Sequence, residues 1–216
     1  IMMLSDKTGV TIDYYDEKAD DDIPQSFTVL RANFDQWFAD KAEAQGAMIA
    51  CGIKVDDLIE KDGKIVGVKA GEDEMYADIV IAADGVNSLM GQKAGLKKEW
   101  TGHEVGVGAK EIIELPEKTI QNRFAVGKGE GAARTILGQT GQVQGGGFIY
   151  TNKTSISLGV VLSPQALAEQ DRSLADIYQD FKMHPAIYPL IEGGTTVEYS
   201  GHLVPENGWN SVPKKL

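Results

Sequence analysis

The sequence predicts a mixed α/β fold, α+β within these residues, built in two blocks of different character. Three observations carry this. Residues 31 to 98 mix a helix-period stretch with short apolar strands and end in Ile79-Val80-Ile81-Ala82-Ala83-Asp84-Gly85, an apolar run entering a glycine turn. Residues 100 to 204 are dominated by β-branched and glycine-containing runs. Tight-turn pairs, Asp62-Gly63 and Asn152-Lys153, separate strand-like segments as hairpin connections do.

Residues 1 to 30 predict β structure. Val10-Thr11-Ile12-Asp13-Tyr14-Tyr15 is β-branched and aromatic after a turn at Lys7-Thr8-Gly9, and Ser26 to Leu30 is a second strand. The acidic run Asp20-Asp21-Asp22 between them is a solvated loop. Residues 31 to 45 place Phe34, Trp37, Phe38, Ala42 and Ala44 at helical spacing with one apolar face, and Gly46 ends the helix in a left-handed cap. Strands are expected at Met48–Ala50, Lys54–Ile59, Ile65–Lys69 and Ala77–Ala82, the last entering the Asp-Gly turn and a further helix. In the next block Val105 to Ile113, Thr135 to Leu137, Gly147 to Tyr150 and Thr154 to Val161 are strand-like. Ser173 to Met183 is a helix with Leu174, Ile177, Tyr178 and Phe181 inward, Ser173 and Asp176 as its capping start, and Pro185 beyond its end. Thr195 to His202 is a final strand. The Gly- and Gln-rich stretch from 138 to 147 is the loosest part.

Composition excludes several function classes. A net charge of −11 over 216 residues disfavours nucleic acid and anionic membrane as general partners. The single cysteine, Cys51, rules out an intramolecular disulfide framework, an iron–sulfur cluster or a Cys-rich zinc site in this segment. Three scattered histidines give no metal spacing. No apolar run has transmembrane length and no signal peptide is evident, so a cytoplasmic setting is the default.

The Asp84-Gly85 turn is the sharpest chemical signal. Glycine lets a ligand approach the backbone, and amides that follow it favour an anion; the plainer reading is a turn between strand and helix. A second glycine cluster, Gly127-Lys128-Gly129-Glu130-Gly131-Ala132, satisfies G-x-G-x-x-A, but a strand rather than a helix follows it and no acid lies at 147 to 152. It is a hairpin loop. Gly145-Gly146-Gly147 before Phe148 and Tyr150 leaves two readings open: a loose loop feeding a strand, or a sheet approached closely by a planar ring. Cys51, His103, His184 and His202 are lone core or surface residues.

The stretches Thr28 to Ala39, Gln45-Gly46-Ala47 and Ile79 to Ser88, with Gly146 to Thr151 and Glu198 to Pro205, resemble the FixC-type flavoproteins, relatives of electron-transfer flavoprotein:quinone oxidoreductase and the geranylgeranyl reductases. The resemblance covers nearly the whole chain. It implies part of a two-dinucleotide-binding-type FAD domain plus a mostly antiparallel β-sheet substrate domain. Residues 1–30 would be strands of the substrate-domain sheet, 31–99 part of the FAD domain, 100–204 the β-rich domain, and 205–216 the return to the FAD domain. It also implies that a G-x-G-x-x-G turn lies upstream of Ile1 and a Gly-Asp motif downstream of Leu216, so that the chain is the middle of such a protein and does not retain FAD alone. Arg31, Asp84 and Gly85 are the cofactor-binding positions the resemblance implies, with Val55 contributing main chain at the adenine edge. Gly146, Phe148 and Tyr150 would line the substrate channel. Arg31 and Asp35 also have the spacing of a simple helix-surface ion pair.

The implied parent is an FAD-dependent oxidoreductase. It would take electrons from an electron-transfer flavoprotein or similar donor and pass them to a quinone, a ferredoxin-like protein or an alkene, with peripheral membrane contact allowed. The redox chemistry would be the cofactor's, so no acid–base pair is required of this segment. The alternative is a non-catalytic substrate- or partner-docking module without flavin of its own; flavin absorbance separates the two.

Overall fold

The computed structural model describes residues 1–15 and 26–212, and the acidic run at 20 to 22 lies outside them. The chain divides into two units, residues 1–34 with 105–204, and residues 35–104 with 205–212.

The first unit is a seven-stranded, mostly antiparallel sheet with helices on one face. Its strands are β1 (Met2–Leu4), β2 (Gly9–Thr11), β6 (Val105–Glu114), β7 (Ala133–Leu137), β8 (Gly145–Thr151), β9 (Ser155–Leu162) and β10 (Thr195–Pro205), in the spatial order β10-β6-β9-β8-β7-β1-β2. Three further strands belong to the second unit. β8 and β9 form the hairpin expected around Asn152-Lys153, closed by the Asn152 N–H donating to the Ser155 carbonyl at 2.7 Å. β6 pairs along nearly all of β9. β1 joins β7 in the parallel sense, with Met2 opposite Ile136.

Alternation along these strands defines the core. Ile156, Leu158, Val160 and Leu162 of β9 are completely buried on one face, with Ile149 and Ile136 on the neighbouring strands. Helices α3 (Glu117–Phe124) and α5 (Leu174–Lys182) cover that face with Ile120, Phe124, Ile177, Tyr178 and Phe181. The two short helices α4 (Pro164–Ala168) and α6 (Tyr188–Ile191) complete the layer. Phe181 packs against Gly147 of β8, where a Cβ would overlap its ring. Helix α5 begins as its sequence dictates: Ser173 Oγ accepts the Asp176 N–H while the Asp176 carboxylate accepts from the Ser173 hydroxyl and backbone. Those hydrogen bonds hold the Asp176 carboxyl below the usual carboxylate range. At its other end Lys182 donates to Glu111 of β6 at 2.5 Å, and Thr196 of β10 donates to the same oxygen at 2.7 Å. Burial, with the Glu111 charge nearby, keeps the Tyr178 phenol well above its ordinary range.

The second unit contains α1 (Arg31–Ala44), which begins in the first, the meander β3 (Asp57–Lys61), β4 (Lys64–Ala70) and β5 (Asp73–Tyr76), and α2 (Leu89–Lys93). The β3–β4 turn places both Asp62 (φ 51°) and Gly63 (φ 75°) in the left-handed region, the two-residue geometry that Asp-Gly favours. Gly46 (φ 94°) ends α1 as expected. The last described residues return to this unit: the Glu206 N–H donates to the Glu104 carbonyl, Asn207 to its carboxylate, and Lys97 to the Ser211 carbonyl.

Several expected strands are absent. Ser26 to Leu30 and Met48 to Ala50 have no strand ladder, Lys54 to Asp56 precedes β3 rather than belonging to it, and β2 stops at Thr11. Ala77 to Ala82 is not a strand either, and Ile79 and Ile81 are 77% and 85% exposed. The reason is common to these segments. Apolar β-propensity becomes a strand only when a neighbour supplies a ladder of hydrogen bonds, and here the described residues supply only isolated backbone bonds at the edges of existing strands, such as the Ile12 N–H to Ile1, the Asp56 N–H to Lys69 and the Ala77 N–H to Val66. Likewise α1 is a helix, but Trp37 and Phe38 on its apolar face are 54% and 61% exposed. β5, α3, α4 and α6 are elements that the sequence pattern does not mark.

Two substitutions test this architecture in urea denaturation. Phe181→Ala is expected to cost about 3–5 kcal/mol, because the ring is fully buried and its seat on Gly147 cannot collapse. Ser173→Ala is expected to cost about 1 kcal/mol. The contribution of Asp176, whose pKa is lowered on folding, is present above the ordinary carboxylate pKa and is lost as pH falls through the folded value.

Candidate functional site

The Asp84-Gly85 turn is held from both sides. Gly85 has φ 74°, a conformation that favours glycine, and no described residue other than its chain neighbours lies within 4 Å of where its Cβ would be. The backbone there is open to a ligand. The Asp84 carboxylate turns forward and accepts the Met90 N–H at 2.6 Å, so it is spent on the first turn of α2. That helix has only five residues and its Ser88 cap position is left-handed (φ 47°) without a side-chain cap bond. The Met90 amide therefore serves Asp84, and the five-residue helix gives no long helix start. From behind, the Trp100 indole N–H donates to the Val86 carbonyl, and the Lys97 ammonium lies 3.6 Å from the centre of the Trp100 ring. Neither Trp100 nor Lys97 was singled out in the sequence, where nothing in the spacing marks them.

Arg31 is the first residue of α1 and exposed. Leu30 sits at the cap position, its carbonyl accepting the Asn33 and Phe34 N–H groups, and it has no side-chain acceptor to offer the first-turn amides. Val55 is half-buried in the connection before β3. Its neighbours bind each other, Lys54 to Asp56 at 2.9 Å, and Asp56 also accepts the Gly71 N–H at 3.0 Å. Both interactions keep the Asp56 carboxyl below its usual range, the Lys54 hydrogen bond foremost. Val55, Asp84 and Gly85 share the second unit; Arg31 falls within the first.

Gly146, Phe148 and Tyr150 do come together, on the sheet face opposite the helices. They alternate with Gly147, Ile149 and Thr151, which are buried on the helix side. The Phe148 and Tyr150 rings stack 5.4 Å apart at 17°. By register Phe148 lies opposite Gly159 of β9, and Gly159 opposite Lys110 of β6. Lys110 pairs with Glu198 of β10 at 3.5 Å. At the end of the hairpin the Asn152 side-chain amide donates to Ser155 and Ser157 hydroxyls, and its buried Oδ1 has no partner among the described residues. Gly159 is a signal the sequence did carry, since a lone glycine inside an apolar strand marks close approach.

The glycine cluster at 127 to 131 leads into strand β7, not a helix, and its first amide is already capped by the Glu130 carboxylate at 2.6 Å. Arg134 on β7 is not a surface residue: it lies over the Phe124 ring at 5.3 Å and pairs with Asp13 at 3.4 Å. Of the histidines, His184 is buried, with Nε2 2.8 Å from the Ser5 carbonyl and Nδ1 accepting the Ala186 N–H, a closing contact at the end of α5. Cys51 is exposed. The described residues contain no cluster able to hold a metal ion and no helix long and apolar enough to cross a membrane.

Among known proteins, no family model matches the chain. Individual proteins do. FixC of Salmonella typhi is 44% identical over 215 residues, covering 99% of this chain and 50% of that protein. A probable electron transfer flavoprotein-quinone oxidoreductase of Escherichia coli K12, YdiS, is 43% identical over 217 residues with the same coverage. The chain thus spans about half the length of the curated relatives it matches. Solved structures with the same fold include a geranylgeranyl bacteriochlorophyll reductase-like protein of Thermoplasma acidophilum (TM-score 0.64, 21% identity, 81% of this chain and 42% of that one). Another is the myxobacterial FAD-dependent halogenase CndH (TM-score 0.63, 20% identity, 90% and 45%).

Gly85→Ala is expected to cost about 1–2 kcal/mol in urea denaturation, through left-handed strain alone. Asp84→Ala should also lower stability by freeing the Met90 amide, whereas Asp84→Asn, which keeps an acceptor oxygen, should retain most of it.

Proposed function

The chain is similar to FixC-type flavoproteins along 99% of its length, and from that premise we propose that it forms part of an FAD-dependent oxidoreductase working in electron transfer. The observation that carries this reading is the exposed apolar surface of the second unit. Trp37 and Phe38 of α1, Met48 and Ile49, and Ile79 and Ile81 expose large apolar surfaces within one unit that also holds the Asp84-Gly85 turn. Further strands of a parallel sheet would bury these segments. They would also set that turn at the strand tips, where open α/β sheets take their ligands.

The residues present suit an anionic dinucleotide. Gly85 offers open backbone, Asp84 is engaged by an amide and so does not face a phosphate as a bare charge, and Arg31 brings a cation to the first position of α1. In a chain of net charge −11 such a cation has no general background of positive charge to replace it. Val55 would contribute its main chain to the adenine edge. FAD would supply the electron-transfer chemistry; the chain's part is to bind and orient it. Gly146, Phe148 and Tyr150 would form a wall of the acceptor channel. The donor would be an electron-transfer flavoprotein or similar donor, and the acceptor a quinone, a ferredoxin-like protein or an alkene.

The test is flavin content in the whole natural protein that carries this chain. It should purify yellow, while residues 1–216 alone should bind no FAD with sub-micromolar affinity in calorimetry. Arg31→Ala should weaken FAD binding by roughly 10- to 100-fold, the value of about 1.5–3 kcal/mol for a charge-assisted hydrogen bond. Gly85→Val should do worse. Full flavin occupancy in purified Arg31→Ala protein would put the cofactor elsewhere on the chain.

A further inference from the structure

The last rung between β7 and β8 is half made. Beyond the Ala133–Tyr150 pair, Thr151 faces Ala132, and a complete rung at this point would exchange two backbone hydrogen bonds. One is present: the Thr151 N–H donates to the Ala132 carbonyl at 2.9 Å. The other is diverted. The Ala132 N–H donates to the Thr151 hydroxyl at 2.9 Å, and the Thr151 carbonyl accepts the Thr28 hydroxyl at 2.7 Å. Gly131, the last glycine of the 127 to 131 cluster, makes room for this. A Cβ there would stand 3.3 Å from the Thr151 hydroxyl oxygen and 3.6 Å from that of Thr28. The sheet thus gives up one backbone bond and in its place holds a segment that has no strand ladder of its own. All of these residues belong to the first unit, as does Arg31, three positions after Thr28.

We infer that Thr28 is a positioning residue: clasped to the Thr151 carbonyl, it fixes where α1 begins and so where Arg31 stands to meet the anionic part of the cofactor. The inference rests on the oxidoreductase reading above, which gives Arg31 that anion. Only Val29 and Leu30 separate the clasp from the helix, so Arg31 is tied to the sheet by about 10 Å of chain at most. The Leu30 carbonyl accepts the Asn33 and Phe34 N–H groups, so the first turn of α1 is built directly on the clasped segment. A hydroxyl-to-carbonyl bond is directional, whereas a valine of the same shape at position 28 would fill the space and hold nothing. A charge-assisted bond from Arg31 gains most when the backbone beneath it is already in place, because less freedom is then lost on binding. The glycine cluster therefore serves the cofactor indirectly. It cradles no phosphate; its last member lets two threonine hydroxyls come together.

The experiment uses the whole natural protein, with FAD as the probe. Affinity is read from the quenching of flavin fluorescence on binding to the apoprotein. The start of α1 is read from hydrogen exchange over residues 28–38, measured without flavin. Thr28→Val should weaken FAD binding about fivefold, the worth of one neutral hydrogen bond, and quicken exchange over that stretch. Thr28→Ser should restore both. Thr151→Val should resemble Thr28→Val, because the Ala132 N–H would then return to the Thr151 carbonyl. In the Arg31→Ala background, adding Thr28→Val should cost no more than about twofold further, since the two residues act as one. Ser173→Ala, which lowers stability in the same unit, should leave FAD affinity unchanged. Wild-type affinity or wild-type exchange in Thr28→Val, failure of Thr28→Ser to restore them, additive losses in the double variant, or weakened FAD binding in Ser173→Ala would each overturn the inference. If Thr28→Val does not fold, Thr151→Val takes its place in every comparison. Arg31→Ala protein that binds FAD as the wild type does would remove the flavin reading and this inference with it. An inert Thr28→Val beside a weakened Arg31→Ala would overturn this inference alone.

Discussion

The first unit depends on one strand being buried from both sides. β9 carries Ile156, Leu158, Val160 and Leu162 into the helix-covered core, while Ser155, Ser157 and Gly159 on its other face are also almost inaccessible. It can be so only because its neighbours β6 and β8 satisfy its backbone along its length. Everything else in this unit is arranged around it. α5 lays Tyr178 and Phe181 over it, with the Tyr178 hydroxyl reaching the Leu158 carbonyl. The Glu111–Lys182–Thr196 cluster then ties the end of α5 to the two strands beyond β9. Buried charges of this kind are costly unless fully partnered. Here the pairing fixes which way the helix lies on the sheet.

The parts of the fold that were legible in the sequence are those whose determinants are local. The Asp62-Gly63 and Asn152-Lys153 turns, the Ser173–Asp176 capping box and the Gly46 helix end all depend on a few adjacent residues, and the structure has them where the sequence puts them. The illegible parts depend on partners far away. Ala77 to Ala82 has the composition of a buried parallel strand, yet composition does not provide the strand beside it. The meander strand β5, Asp-Glu-Met-Tyr, has almost no β signal of its own and exists because β4 pairs with it.

The candidate site divides in the same way. Gly85 is recognisable because a left-handed turn favours glycine, and its dihedral angle agrees. The brace behind it was not: Trp100 reaches the Val86 carbonyl from fourteen residues away through a loop that no periodicity describes. Alternation in β8 correctly separates Phe148 and Tyr150 from the core-facing Ile149, but their stacking with each other and the place of Phe148 opposite Gly159 belong to cross-strand register, which a single strand does not encode.

The pairing of β1 with β7 has a consequence for how the protein comes into being. Met2 and Ile136 are neighbours in the sheet but stand at opposite ends of an insertion that contains the entire meander unit. Closing so long a loop is entropically expensive before other contacts reward it. The β8–β9 hairpin is local in sequence and is expected to form earlier, with β7 pairing on β8 to present the edge that β1 joins. The β1–β2 hairpin, although it precedes these strands in the chain, is therefore expected to dock after them. Until it does, Met2 and Leu4 remain apolar residues without a core, on a chain that must be protected from pairing with a neighbour.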